Sequence, residues 1–155
     1  MRPTTLLSCA LIVSIVLLAI LAPGSALADS RYQPIMASGE VFGAPETGYA
    51  GEAEVRIGKE VYDATVRTFI TGAPVVDPDG TMHAPTMHIF TIGSRTFVTN
   101  DKATLHPTPA IGVYRVLSHM QVVQGGTGHM IAHGTADMIA GTITWRLSGV
   151  IDVDD

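Results

Sequence analysis

Runs in which apolar side chains recur at every second position, set apart by short glycine turns, constrain this chain more than any other feature. Gly58-Lys59 separates Glu52–Ile57 from Glu60–Thr71, and Gly93-Ser94 separates Met82–Ile92 from Arg95–Leu105. Gly125-Gly126 separates Gly112–Gln124 from Thr127–Met138, and Ala140-Gly141 leads into Thr142–Ile151. A period of two is the pattern of a strand with one face buried, and a two-residue glycine link between two such runs is a hairpin signal. Pro74, Pro78 and Asp79-Gly80 mark residues 72–80 as a loop, and Pro107 and Pro109 mark another. Pro85 is expected to interrupt or bulge the strand it stands in. The sum is about seven or eight short-linked strands and no helix pattern, which predicts an all-β, eight-stranded antiparallel closed barrel. Closure removes the sheet edges that template aggregation; a two-sheet sandwich is the competing architecture.

The start of the chain has a different logic. Arg2 precedes an apolar run from Leu6 to Leu21, Pro23-Gly24-Ser25 breaks it, and Ala26-Leu27-Ala28 supplies small residues at the two positions read by signal peptidase. Residues 1–28 thus read as a signal peptide cleaved after Ala28, which implies a secreted or periplasmic protein. The run falls short of the ~20 apolar residues that span a bilayer, so no stable membrane anchor is expected after cleavage. Leu6-Leu7-Ser8-Cys9 resembles a lipid-attachment box but sits at the beginning of the apolar run rather than its end. Cys9 is the sole cysteine; once it is removed, no disulfide or thiolate chemistry remains. Residues 29–50 read as an extended lead-in and residues 51–155 as one barrel domain.

Charge narrows the partners. Asp and Glu number 14 against 9 Lys and Arg, for a formal net charge of −5, and no basic run follows Arg2. Nucleic acid and anionic membranes are therefore poor partners. Nothing in the sequence demands a cofactor.

The stretch Gly125-Gly126-Thr127-Gly128-His129-Met130-Ile131-Ala132-His133-Gly134 resembles the Gly-Gly-Thr-Gly hairpin of the allene oxide cyclase and dirigent-like barrel family. Met130 occupies the place of the large apolar residue two positions after the last turn glycine, and Gly134 matches the later glycine of the strand. Gly141–Gly149 is similar to the barrel-closing strand of bacterial members. The segment from Gly128 to Gly134 is one residue shorter than the family pattern. The resemblance implies an eight-stranded barrel, often a homotrimer, whose lumen holds a hydrophobic small molecule, with cyclase- or isomerase-like activity in some members.

Candidate site residues follow from alternation. A two-residue turn at Gly125-Gly126 sets Gln121 opposite Met130 and places Arg115, His119, Gln121, Met130 and Ala132 on one face. That face mixes apolar bodies with convergent polar groups, as a ligand-binding lumen requires. Arg115 suits a carboxylate and His119 acid–base work; with the register reversed, Tyr114 takes their place. The same face reads equally as solvent-exposed wall. A second reading uses the Met/His pairs Met82-His83 and Met87-His88 as a copper site, provided Pro85 bends the segment, since adjacent strand residues point to opposite faces. Asp77-Pro78-Asp79-Gly80 is read as a turn rather than a calcium loop, Trp145 as core or lumen wall, and Asp152, Asp154 and Asp155 as a solvated tail.

Overall fold

A computed structural model describes residues 31–153. The signal-peptide reading of residues 1–28, Cys9, and the tail residues Asp154 and Asp155 lie outside the described residues. Nine strands follow in order: β1 (Gln33–Ala44), β2 (Gly48–Ile57), β3 (Glu60–Ile70), β4 (Val75–Val76), β5 (Met82–Ile92), β6 (Arg95–Pro107), β7 (Val113–Gln124), β8 (Gly126–Asp137) and β9 (Thr142–Val153). Each neighbour is antiparallel, β1 pairs with both β2 and β9, and a β3–β5 pairing closes the ring. The result is an eight-stranded closed barrel, with the two-residue β4 set against β5. No helix occurs among the described residues.

Two hairpins form as their turns dictate. Gly58 and Gly93 adopt φ of +61° and +59° while no non-glycine residue has a positive φ, the pattern of a turn with glycine at its first central position. Ile57 then pairs with Glu60 and Ile92 with Arg95. The stretch read as a lead-in supplies a full barrel strand: Ile35, Ala37 and Val41 of β1 are buried while Met36, Ser38, Glu40 and Phe42 are exposed.

Pro85 does not break β5. Its carbonyl accepts from the Thr71 amide at 2.9 Å, just beyond the end of β3, so its missing N–H falls where the ladder is already ending. The irregularity lies instead between β6 and β7. Val98 pairs with Gln124 but Thr99 pairs with Val122, so Val123 is the extra residue of a bulge.

The barrel has two unlike ends. Tight turns gather at one end, and the longer connections 45–47, 71–81, 108–112 and 138–141 gather at the other. Ile35, Val55, Phe97 and Ile151, from strand segments near the tight-turn end, are at most 2% exposed. Phe90 stacks on Phe97 with ring centroids 4.7 Å apart. Full burial of each such side chain contributes about 1.5–3 kcal/mol, and together they form a solid floor. Large and small residues alternate there. Met130 faces Gly149 across β8–β9, and a Cβ on Gly149 would stand 2.7 Å from Met130 Cα and 2.2 Å from the His129 carbonyl oxygen.

Candidate functional site in the barrel lumen

Above this floor the inward-facing residues shrink or turn polar, and a cavity of about 80 Å³ remains. All eight barrel strands line it, among them Val41, Tyr49, Thr68, His88, Ser118, Ala132 and Trp145. Ala84, Ala103, Ala132 and Ala136 contribute little volume, which is why the space exists. Lining residues toward the loop end, Ile70, Met82, Met138 and Ile143, are half-buried, so the cavity has its mouth there.

Its polar element comes from two adjacent strands. Period two turns Thr86, His88 and Phe90 of β5 inward, and Phe97, Thr99, Asp101 and Ala103 of β6 beside them. Thr86 pairs directly with Asp101, and His88 stands one inward position along the strand. His88 Nδ1 bonds Asp101 Oδ2, and the Thr86 hydroxyl donates to the same oxygen at 3.4 Å. The Asp101 side chain is wholly buried and that of His88 is 15% exposed. A carboxylate can only accept, so Nδ1 carries the proton; in the neutral ring Nε2 is then the nitrogen with the lone pair. The imidazole also stacks on Phe90 with centroids 6.0 Å apart. Removing a carboxylate from water costs several kcal/mol, which the contacts from His88 and Thr86 offset.

Three further polar residues of the cavity lining hold a side-chain atom without a partner. Thr68, Ser118 and Trp145 are among the lining residues, and their Oγ1, Oγ and Nε1 atoms are buried with no hydrogen bond; Asp101 Oδ1 and Thr99 Oγ1 beside them are in the same condition. Trp145 meets Phe90 edge-on at 5.9 Å. The Tyr49 hydroxyl donates to Met138 Sδ at 3.8 Å; burial, with a smaller contribution from Glu46, pushes its phenol above the ordinary value of 10.0.

The sequence-derived candidates divide across the wall. The β7–β8 register sets Gln121 against His129 and Met120 against Met130, one residue away from that of a two-residue turn. Gly125 packs onto the Thr96 carbonyl of β6 and Gly126, Thr127 and Gly128 pair with β9, so the link is not a tight hairpin. The slip exchanges faces along β7. Arg115, His119 and Gln121 are exposed on the outer wall, where Gln121 Nε2 donates to the Gly128 carbonyl at 2.9 Å. This corrects the expectation that these three line the lumen with Met130. Met130 is buried in the floor, and Tyr114 turns inward against Leu105 and Ala136 near the loop end.

The four residues of the copper reading are likewise not brought together. β5 is continuous, so Met82 and His88 face the lumen while His83 and Met87 face away. Six residues of strand put Met82 and His88 roughly 20 Å apart. His83 is engaged by Asp77 at 3.0 Å and Thr104 at 3.2 Å. Among the described residues no group of three or more His, Cys, Asp or Glu converges.

Thr86, Asp101, Ser118 and Thr68 escaped sequence reasoning. Their signal was a polar residue in phase with buried apolar ones, as Asp101 is in the series Phe97, Thr99, Asp101, Ala103, Leu105. Compared with protein-family models, with curated proteins and with solved structures, the chain matches none.

Proposed function

We propose that this protein binds a small, mainly apolar molecule carrying a hydrogen-bond acceptor, held in the loop-end half of the barrel lumen. The observation that carries this reading is that Thr68, Ser118 and Trp145, which line one mainly apolar cavity, each hold a buried polar atom with no partner. Each such group costs about 1–3 kcal/mol while unsatisfied, and a bound molecule that satisfies them recovers that cost. An indole N–H can only donate, so the molecule brings an acceptor to Trp145. The size limits the guest: an apolar cavity of about 150 Å³ binds benzene, so a guest here is a small ring or short chain with part of it in the mouth. On the same reading the chain is exported after cleavage at Ala28 and meets its ligand in the periplasm or outside the cell.

Trp145 is the only tryptophan, so its fluorescence reports directly on the cavity. Titration with small cyclic ketones and phenols is expected to give a saturable change, and Ala132→Leu, which fills the cavity, is expected to abolish it with the fold intact by circular dichroism. Native mass spectrometry of freshly purified protein is expected to show a retained small molecule. A flat titration together with an empty lumen in the mass spectrum overturns the reading.

A further inference from the structure

The His88–Asp101 pair goes beyond what binding requires. A guest that needed only a hydrogen-bond partner would be served by the hydroxyls of Thr68 and Ser118. Instead the chain places a carboxylate with a wholly buried side chain against the imidazole of a half-buried histidine. The carboxylate fixes the ring through Nδ1, and Thr86 holds the same carboxylate oxygen. From these contacts and the cavity around them, we infer that the lumen is a proton-transfer site. His88 Nε2 acts as the general base on a carbon acid, a small neutral ketone or related carbonyl compound. The inference rests on the lumen being the binding site.

The geometry supplies each part of the step. Nε2 has no hydrogen-bond partner among the described residues, and His88 lines the cavity. Trp145 and His88 both lean on Phe90, at 5.9 Å and 6.0 Å between centroids, and both line the same cavity. With the ketone's carbonyl oxygen on Trp145 Nε1–H, the carbon beside the carbonyl is turned toward the imidazole. Nε2 takes the proton from that carbon. The C–H electron pair becomes the C=C bond of an enolate, and the carbonyl π pair moves onto oxygen, where the waiting donor stabilises it. The imidazolium that forms is stabilised by Asp101, which keeps its own charge. The proton then returns to carbon. Returned to the same carbon, it gives exchange; returned to the far end of a neighbouring double bond, it moves that bond into conjugation. Neither outcome needs an oxidant, a reductant or a second substrate. Asp101 touches no substrate and acts through His88, so it is a positioning residue.

The test uses cyclopentanone in D₂O, with α-deuteration followed by NMR and binding followed by Trp145 fluorescence. Wild-type protein is expected to accelerate exchange over buffer with saturation in ketone. His88→Gln is expected to lower that rate by about 10²–10⁴-fold while the fluorescence titration persists. Asp101→Asn is expected to lower kcat with KM little changed, a split that mere loosening of the barrel does not produce. Should either variant fold poorly, His88→Ala with added imidazole supplies an independent check, since recovery of exchange identifies the missing base. Saturable binding without accelerated exchange, or exchange unchanged in His88→Gln, overturns proton transfer and leaves the binding reading standing. No fluorescence change with wild type and no exchange overturns both.

Discussion

Glu40 stands directly across from Glu52 on the outer wall where β1 pairs with β2. Glu54 and Asp63 repeat the arrangement between β2 and β3, and all four are exposed. Like charges placed directly opposite oppose the pairing. Glu52→Lys is therefore expected to raise the unfolding free energy by about 0.2–1 kcal/mol. Urea denaturation at low and high salt checks it: the gain should shrink as salt screens the pair, and a loss of stability would show that the acidic pair is not a burden.

Phe97 is 2% exposed and stacks on the fully buried Phe90. Phe97→Ala is expected to cost about 3–5 kcal/mol, since the transfer loss adds to an unfilled void in the floor. A midpoint shift equivalent to less than 1 kcal/mol would mean that the floor is not packed as described.

Two glycines separate backbone conformation from space. Gly93, at φ +59°, has nothing within 4 Å of a built Cβ, whereas a Cβ on Gly149 meets backbone of β8. Gly93→Ala is expected to cost about 1–2 kcal/mol from backbone strain alone, because an L side chain at this positive φ is disfavoured. Gly149→Ala is expected to cost about 1–3 kcal/mol through overpacking. Thermal unfolding of the two variants side by side decides between the two causes.

Tyr49 gives the alkaline limb a specific source. Its folded-state phenol is raised by burial above 10.0, with Glu46 adding to the effect. Its contribution is thus fully present below the unfolded value and is lost as pH rises through the folded one. Wild type is expected to lose more stability than Tyr49→Phe between about pH 8 and about pH 11. Equal losses in the two proteins would remove Tyr49 as the cause.

Asp79 acts in the opposite direction. The Thr81 amide donates to Asp79 Oδ1 at 2.9 Å, and this bond, first among the causes, holds the carboxyl below 3.8. The order of the turn at residues 77–81 is thus present above the unfolded value and lost as pH falls through the folded one. The Thr81 amide resonance should titrate with a midpoint below 3.8, and a midpoint above it would show that the bond does not persist in solution.

Much of the barrel could be read from the chain because its turns and its alternation agree. Gly58-Lys59 and Gly93-Ser94 leave only one way to pair the strands beside them, and Ile57–Glu60 and Ile92–Arg95 follow. The Gly125 link failed as a guide because three nearby glycines, Gly125, Gly126 and Gly128, permit more than one turn. Contacts with β6 and β9, distant in sequence, chose among them. That single residue of slip moved Arg115, His119 and Gln121 outside and left the lumen to other side chains. The dyad was harder still to foresee. His88 was visible only as half of a Met/His pair, and Asp101 gains meaning from a diagonal contact across β5–β6 that no linear pattern encodes.

The two dissimilar ends of the barrel assign change and constancy to different parts of the chain. Whatever a guest first encounters, at residues 71–81, 108–112 and 138–141, lies in connections that hold none of the floor in place. Selection can lengthen or rewrite those three stretches to admit a new molecule, while Phe90, Phe97, Ile35 and Ile151 go on folding the same cup beneath it.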